Sequence, residues 1–251
     1  MDELGALAIE ELPWDTEHFG VRVGELRVGR ASADEVRAVL EASAAQFELV
    51  YVRNANTNAM SQDVLETFNG EQTDTRAVFE RSSLQLPKEG NPPPAGELRR
   101  AQPGSNSSAL RSLARQVAEH SRFQNDTRFP PSWVSTLYET WLARSIEREH
   151  ADEVLVWWLD DEPVGLYTIK VAGDCGTLDL FAVDEGQRGK GIGAALMRAG
   201  LLWMQERGLS RASVTTQLSN PVCKLYRGFG YSLAETEDIY HLWPNAEEPA
   251  P

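Results

Sequence analysis

The chain of 251 residues has little cysteine, no long apolar stretch and no excess of basic residues. Its two cysteines, Cys175 and Cys223, lack any Cys-x-x-Cys or Cys/His spacing, which argues against a disulfide framework and a structural zinc site. No apolar run approaches the roughly 20 residues that a bilayer-spanning helix needs. The N-terminus reads Met-Asp-Glu and has no basic region before an apolar stretch. We therefore expect no secretory signal, no membrane partner and residence in the cytoplasm.

Basic residues are outnumbered, because 24 Lys and Arg stand against 38 Asp and Glu, for a formal charge of −14. This balance argues against nucleic acid as a partner, since phosphate contacts need a basic face. The acidic excess is concentrated at the ends: residues 1–21 hold six acids and residues 228–251 hold five, without Lys or Arg in either segment. Residues 186–230 instead hold seven bases and one acid. This locally cationic segment predicts a binding site for a small anion.

A connector rich in Pro, Gly and Ser divides the chain at residues 86–108, apart from a strand-like stretch at 97–101. We predict an N-terminal α/β region over 1–100 and a second domain over 101–251. The cluster of Trp14, Asp15, His18 and Phe19 is interpreted as a packed corner, with a functional site as the alternative. In the N-terminal region the predicted elements are a helix capped by Ser32 and running to Ala45, a helix near 59–68, and strands at 20–28, 48–52 and 77–84.

The second domain shows strands and helices in the order β-β-β-α-β-α-β, preceded by an amphipathic helix. Two hairpins in succession predict an antiparallel sheet. A central strand that leads into a glycine-rich loop and then a helix is an arrangement typical of phosphate binding. The predicted elements are a helix at 132–149, strands at 153–159, 164–171 and 177–183, a helix at 192–207, a strand at 212–217, a short helix capped by Asn220 and running through Arg227, and a strand at 239–243.

The loop after strand 177–183 is the segment that indicates chemistry. Glycines at alternating positions remove side chains where a ligand must approach the backbone. They stand at the N-terminus of the next helix, whose free N–H groups and dipole favour an anion. The alternative is a solvated turn, and neither the dinucleotide fingerprint nor the Walker pattern fits. The loop reads Gln187-Arg188-Gly189-Lys190-Gly191-Ile192-Gly193-Ala194, so Arg188 and Lys190 add positive charge.

The pattern Arg188-x-x-Gly191-x-Gly193, placed after a strand that ends Leu180-Phe181-Ala182-Val183, resembles motif A of the GNAT acyl-CoA N-acyltransferases. Residues 220–231 are similar to that superfamily's Asn-x-x-Ala-x-x-Leu-Tyr-x-x-x-Gly-Phe signature, with Cys223 in place of Ala. The resemblance covers about 108–243. It implies an α/β (α+β) GNAT fold, with a central mixed, mostly antiparallel sheet flanked by helices and extended by the N-terminal region.

The same resemblance implies that acetyl-CoA is the co-substrate, without a metal. The loop amides would hold the coenzyme A pyrophosphate, and the preceding strand, splayed from its neighbour, would bind the pantetheine arm through the amides around Ala182 and Val183. Asn220 touches the cofactor, caps the following helix, or does both. The implied cofactor-binding residues are Phe181, Ala182, Val183, Arg188, Gly189, Lys190, Gly191, Ile192, Gly193, Ala194 and Asn220.

Two catalytic residues are predicted. By resemblance, Tyr226 is the acid that protonates the coenzyme A sulfur, and the alternative is a core aromatic residue. Side chains alternate along a strand from Thr177 to Val183, which would place Asp179 on one face with Phe181 and Val183. Asp179 could then accept the amine proton directly or through water, or could be a strand-edge acid that pairs with a neighbour. None of the four histidines falls in the motif region, so a histidine base has no support.

Short segments across the chain resemble bacterial dTDP-fucosamine acetyltransferases and related sugar-nucleotide N-acyltransferases, and imply acetyl transfer to the amino group of a dTDP-amino sugar. Arg122, Phe123 and Gln217 are then acceptor residues, and Arg122 and Arg128 could bind the acceptor's diphosphate or be ordinary surface arginines. The alternatives are acetylation of another small amine or a protein N-terminus, and an acyl-CoA-binding sensor without turnover. A homodimer is the assembly considered. The segments are residues 13–20, 74–80, 121–129, 137–141 and 215–220.

Overall fold

The computed structural model describes residues 7–55, 60–87 and 93–246. The described chain divides into two compact units: unit 1 holds residues 7–55, 60–76 and 236–246, and unit 2 holds residues 77–87 and 93–235. Parts of the predicted acidic ends, residues 88–92 of the predicted connector and the start of the predicted helix near 59–68 lie outside the described residues. Within the described ranges, no helix is long and apolar enough to cross a membrane.

Unit 1 is an α/β unit with the strand order β1-β2-β3-β10. β2 and β3 are parallel, whereas β1 with β2 and β3 with β10 are antiparallel. β4 and β10 have residues in both units. The elements are β1 (Ile9–Glu11), α1 (Pro13–Phe19), β2 (Val23–Arg27), α2 (Ala33–Ser43), β3 (Leu49–Asn54), α3 (Gln62–Thr67), β4 (Gly70–Arg81) and β10 (Ser232–Leu242).

The predicted cap of α2 is present. The Ser32 hydroxyl accepts a hydrogen bond from the Glu35 N–H, and the Glu35 carboxylate accepts one from the Ser32 N–H at 2.8 Å. This capping box satisfies two N–H groups at the helix start. In α1, the Trp14 and His18 rings stack 5.0 Å apart and Phe19 is buried, so this segment packs within unit 1.

Unit 2 contains the strand order β9-β8-β7-β6-β5, in which only β8 and β9 run parallel among the pairs between these strands. The predicted element order of the second domain is confirmed, as is the mixed, mostly antiparallel sheet flanked by helices. The remaining elements are β5 (Glu97–Arg100), α4 (Ser108–Val117), α5 (Arg122–Asn125), α6 (Pro131–Ile146), β6 (Glu153–Leu159), β7 (Glu162–Ala172), β8 (Cys175–Val183), α7 (Ile192–Glu206), β9 (Arg211–Gln217) and α8 (Cys223–Gly228).

Helix α7 packs closely on the sheet because a glycine faces a large buried side chain. Tyr167 of β7 is 0% exposed, and a Cβ added at Gly200 of α7 would lie 2.6 Å from the Tyr167 ring. Side chains do not approach this closely, so any residue larger than glycine must displace the ring. Leu196, Met197 and Met204 of the same helix are also fully buried, which leaves the ring little room to move.

A Gly200→Ala variant is therefore expected to unfold more easily, by about 2 kcal/mol, because overpacking outweighs the higher helix propensity of alanine. The free energy of unfolding is measured by urea denaturation. Gly228→Ala is the matched control, because nothing lies within 4 Å of its added Cβ. Equal stability of the two variants would show that Tyr167 moves aside without cost.

Candidate active site

The glycine-rich loop ends in an open helix N-terminus. Gly189 and Gly191 have φ angles of 77° and 90°, a left-handed backbone that strains other residues. Gly191 is the N-cap of α7, and the first helical hydrogen bond runs from the Ala195 N–H to the Gly191 carbonyl at 3.0 Å. The amides of Ile192, Gly193 and Ala194 thus have no acceptor within α7. With the helix dipole, these amides can bind an anion.

The first turn of α7 lies directly against the end of β8 and against α8. A Cβ placed on Gly193 would lie 3.4 Å from the Phe181 ring, 3.5 Å from Leu225 and 3.7 Å from Val183, all ordinary packing distances. The structure therefore brings together three segments that the sequence marks separately: the strand end, the glycine-rich loop and the helix that carries Tyr226.

Arg188 and Lys190 are occupied by contacts within the protein. The Arg188 Nε donates to the Val183 carbonyl at 3.1 Å, and its terminal nitrogen forms an ion pair with Glu119 at 2.9 Å. The Lys190 Nζ donates to the carbonyl of Gly186 and to Oε1 of Gln187, each at 2.9 Å. Both cations thus shape the loop, and the Arg188 side chain keeps 47% exposure for a further contact.

Gln116 of α4 fixes the start of the loop and is a residue that the sequence analysis missed. Its side-chain oxygen accepts the Glu185 N–H at 3.0 Å, and its nitrogen donates to the Asp184 carboxylate at 3.3 Å. The same carboxylate accepts the Gly186 N–H at 3.0 Å. No sequence signal identifies Gln116, because it precedes its partners by almost 70 residues and is one of several polar residues on its helix.

Strands β8 and β9 separate before they end. They pair from Cys175 with Arg211 to Leu178 with Val214, although β8 continues to Val183. On the other side of β8, the Asp184 N–H donates to the Val164 carbonyl of the β7 hairpin at 2.9 Å. Antiparallel pairing alternates, so the backbone groups of Phe181 and Val183 point away from β7, towards the gap beside β9. The Phe181 backbone groups and the Val183 N–H are available to a ligand, whereas the Val183 carbonyl already accepts a hydrogen bond from Arg188.

The same alternation turns the Ala182 amide towards β7. Among the amides around Ala182 and Val183, those of Phe181 and Val183 therefore face the gap and that of Ala182 faces β7, and the contact of these amides with a ligand arm stays a prediction. The Val183 carbonyl agrees with this geometry, because it accepts the hydrogen bond from Arg188 instead of one from β7.

Asp179 is the first residue of β8 beyond the last pair with β9. The register between β7 and β8 shifts here, so that Thr168 alone stands opposite Asp179 and Leu180. The Thr168 hydroxyl accepts the Leu180 N–H at 2.8 Å. Because the extra residue reverses the side-chain faces, Leu178 and Phe181 pack against the same core, and the predicted regular alternation over 177–183 is wrong.

The environment of Asp179 shifts its acidity. Burial raises the pKa of Asp179 to about 6, and the positive charge of Lys170 offsets part of that increase. A carboxyl group with this pKa is mostly ionised at neutral pH and can accept a proton from a bound amine or a water molecule. Among residues 77–87 and 93–235, Asp179 forms no ion pair with a neighbour. The alternative prediction, in which Asp179 is a strand-edge acid that pairs with a neighbour, therefore gains no support from these residues.

Tyr226 lies in α8 and is 2% exposed. Its ring centre is 6.1 Å from that of Phe79, 6.4 Å from that of Phe181 and 6.1 Å from that of Tyr231. Burial raises the pKa of Tyr226 far above that of a free phenol, so the hydroxyl is protonated at neutral pH and can donate a proton or a hydrogen bond. Tyr226 is thus a core aromatic residue that also lies next to the open end of β8.

Asn220 organises the turn between β9 and α8. Its side-chain oxygen accepts the Val222 N–H at 3.0 Å, and its nitrogen donates to Gln217 at 3.4 Å. Helix α8 begins at Cys223 with Val222 as its N-cap, so Asn220 stands two residues before the N-cap position that was predicted for it. The Asn220 side chain thus caps the short turn that precedes α8.

The predicted acceptor residues Arg122 and Phe123 lie in α5. The Arg122 guanidinium lies 4.8 Å from the centre of the Phe123 ring, and Phe123 is buried with its edge towards Phe129 at 5.2 Å. Arg128 forms an ion pair with the fully buried Asp126 at 2.7 Å. These contacts form an aromatic and charged cluster before α6, and the role of Arg122, Phe123 and Gln217 in acceptor binding stays a prediction.

A metal centre is not indicated by the described side chains. Residues 7–55, 60–87 and 93–246 contain no group of three or more His, Cys, Asp or Glu that could hold a metal ion. Cys175 and Cys223 are both free thiols.

Comparison with known proteins gives one family and several relatives. Residues 116–231 match the Acetyltransferase (GNAT) family. The chain is 24% identical to the spore coat polysaccharide biosynthesis protein SpsD of Bacillus subtilis (strain 168), over 97% of this chain and 85% of that protein.

Two solved structures share the fold. A functionally unknown conserved protein from Staphylococcus epidermidis ATCC 12228 has a TM-score of 0.66 at 12% identity, over 97% of this chain and 93% of that one. A GCN5-related N-acetyltransferase from Sphaerobacter thermophilus has a TM-score of 0.58 at 14% identity, over 87% and 72% of the two chains. Over residues 116–231 the chain is thus similar to the GNAT family, and it shares the fold of these two solved structures.

Proposed function

We propose that this chain is a cytoplasmic N-acetyltransferase that transfers the acetyl group of acetyl-CoA to the amino group of a nucleotide-linked amino sugar by direct attack. The observation that carries the proposal is the gap between β8 and β9, which opens beside the N-terminus of α7 and next to Tyr226, within the residues that match the family. The polysaccharide-related name of the Bacillus subtilis relative supports a sugar acceptor. A homodimer and a boundary near residue 100 stay predictions.

The residues present fit acetyl-CoA. The free amides of Ile192, Gly193 and Ala194 suit a diphosphate, because they combine unpaired donors with the positive end of the helix dipole. The backbone groups of Phe181 and Val183 can pair with an extended amide-bearing arm, as a neighbouring strand would. Bound there, acetyl-CoA supplies an activated acyl group on a thiol leaving group.

Two side chains carry out the two proton transfers of the reaction, one at the amine and one at the sulfur. The amine nitrogen forms a bond with the acyl carbon, and the bond between that carbon and sulfur breaks. Asp179 accepts the proton that the nitrogen loses, directly or through water, because it is ionised above a pKa of about 6. Tyr226 donates a proton to the departing sulfur and is protonated again from solvent. An amine and a thioester thus give an amide and a thiol.

Two other functions fit parts of the site. A different small amine, such as an aminoglycoside, or a protein N-terminus would use the same acyl-CoA site. A non-catalytic acyl-CoA-binding protein would use the loop and the gap without chemistry. Tyr226 disfavours this last function, because a sensor needs no acid near the sulfur.

A thiol-release assay with acetyl-CoA tests the acceptor class. We expect dTDP-amino sugars to accelerate thiol release at least about 100-fold over the rate without acceptor, since correct positioning of an amine lowers the barrier by several kcal/mol. Aminoglycosides and peptides are assayed in parallel, and the corresponding dTDP-sugars without an amino group are the control. Acceleration by aminoglycosides or peptides alone would contradict the sugar-nucleotide acceptor, and no acceleration by any amine would favour a binding protein.

A further inference from the structure

Arg81, the last residue of β4, is a buried cation whose hydrogen-bond partners are backbone carbonyls. It is 8% exposed, and its guanidinium donates to the carbonyl oxygens of Ser83, Gln85 and Phe229. Among the described residues, no carboxylate forms an ion pair with it. Burial lowers the pKa of Arg81, although arginine stays charged.

Burying a cation without a carboxylate partner costs folding free energy. We therefore take the geometry of its hydrogen bonds to be the reason for its presence. Removing a guanidinium from water is unfavourable, and a well-packed apolar side chain often serves stability equally well. The planar guanidinium fork differs from an apolar residue because it holds several oxygens in fixed directions at once. Here it links the end of β4, the following segment at 83–85 and the residue that ends α8.

The carbonyl of Phe229 belongs to the turn that closes on Tyr226. The amides of Phe229 and Tyr231 both donate to the Tyr226 carbonyl, at 3.0 and 3.1 Å. The Arg81 guanidinium also lies 3.7 Å from the position that a Cβ on Gly230 would occupy. Helix α8 has only six residues, so its own hydrogen bonds define its orientation weakly. The contact at its end therefore affects where its side chains lie.

We propose that Arg81 is a positioning residue, which holds the C-terminal turn of α8 and so places the Tyr226 hydroxyl at the open end of β8. The proposal rests on the proposed function, because it assigns Arg81 an effect on catalysis that passes through Tyr226. Its positive charge also stabilises the C-terminal end of the helix dipole. A lysine would keep the charge and lose the fork, and a methionine would lose both.

A double-mutant cycle separates positioning from a general loss of stability. Arg81→Met is expected to lower kcat about 10-fold and to leave the KM for acetyl-CoA unchanged. The reason is that Arg81 donates to the carbonyls of Ser83, Gln85 and Phe229, none of which belongs to the loop over 188–194. Arg81→Lys should fall between Arg81→Met and the unmodified protein. In a Tyr226→Phe background, Arg81→Met should change kcat less than twofold, since a misplaced phenylalanine donates no proton in either case.

Gln205→Met is the matched control. Its side-chain nitrogen donates to the Leu84 carbonyl at 2.9 Å, so it fixes the same segment, and among the described residues no hydrogen bond joins its side chain to α8. Amide hydrogen exchange over 223–228 should quicken in both Arg81 variants and not in Gln205→Met, a readout that requires no acceptor. If Arg81→Met does not fold, Arg81→Lys carries the same cycle.

The possible outcomes are distinct. An unchanged kcat in the Arg81 variants would overturn the positioning role, even if Tyr226 is the acid. The same holds if the double variant loses kcat by the product of the two single losses, those of Arg81→Met and Tyr226→Phe. Full turnover by Tyr226→Phe alone would instead overturn the proposed catalytic acid, and the role of Arg81 with it. The proposal would be supported if amide exchange over 223–228 becomes faster in the Arg81 variants and the double variant loses less kcat than the product of the two single losses.

Discussion

A Tyr226→Phe variant is expected to turn over about 100-fold more slowly than the unmodified protein, with an almost unchanged KM for acetyl-CoA. The substitution removes one hydroxyl and keeps the ring, which packs near Phe79 and Phe181. The lost hydroxyl is the proposed proton donor to sulfur, so the thiolate would leave without protonation. Steady-state kinetics by thiol release, with acetyl-CoA and the accepted amine varied in turn, measure both constants.

Tyr231→Phe is the matched control for this prediction. Tyr231 is also buried, its ring centre is 6.1 Å from that of Tyr226, and burial raises its pKa to about 12. It therefore tests the loss of a buried phenol in the same cluster without removing the proposed acid. Equal losses of turnover in the two variants, or full turnover by Tyr226→Phe, would contradict the specific role of Tyr226.

An Asp179→Asn variant is expected to lose about 100-fold in kcat/KM at pH 8 and to lose the ionisation that controls activity near pH 6. In the unmodified protein, kcat/KM should rise tenfold per pH unit below about 6 and level off above it, because the base must be ionised. Asparagine does not titrate, so its profile lacks this limb. If kcat/KM of the variant still rises with pH and levels off near pH 6, the ionisation belongs to another group.

The stability of the same variant provides a second measurement. The pKa of Asp179 is higher in the folded chain, at about 6, than the ordinary carboxyl value of 3.8 that an unfolded chain has. Between these values the folded state binds more protons, so the free energy of unfolding decreases as the pH rises from about 4 to 6 and stays lower above that range. Removing the partly buried charge should stabilise the chain above pH 6, by about 3 kcal/mol at most.

Asp174→Asn is the control for both measurements, because its carboxylate has the opposite surroundings. Arg211 and Ser210 hydrogen-bond the Asp174 carboxylate and lower its pKa. Replacing it should weaken folding slightly at neutral pH and leave the activity profile unchanged. An Asp179→Asn protein that is both slower and more stable than the unmodified protein would show that the partly buried carboxylate serves activity at the expense of stability.

The sequence predicted the elements around the site because their signals are local. Alternating glycines before an amphipathic pattern place the start of α7 correctly at Ile192, and the two hairpins predict an antiparallel sheet. The register shift at Asp179 escaped prediction because it depends on Thr168 in the neighbouring strand. The contacts of Arg81 and Gln116 have the same character, since each joins residues far apart in sequence that only the folded chain brings together.

The local charge was also only partly predictable. Residues 186–230 carry a surplus of bases, but Arg188 pairs with Glu119 and Arg211 pairs with Asp174, and both acids lie outside that segment. The cationic character that a ligand meets is therefore smaller than the residue count indicates. The open amides at the start of α7 do not appear in a charge count, and they are the donors that the fold leaves available.

The early separation of β8 and β9 creates two facing strand edges inside a sheet. An unpaired edge is usually a risk for association with other chains, but here the two edges belong to neighbouring strands within one sheet. A ligand with amide groups would enter as a surrogate strand and complete hydrogen bonds that the protein alone leaves unmade. Its binding would then stabilise the sheet, and the melting temperature should rise with the logarithm of the ligand concentration once that concentration exceeds the Kd.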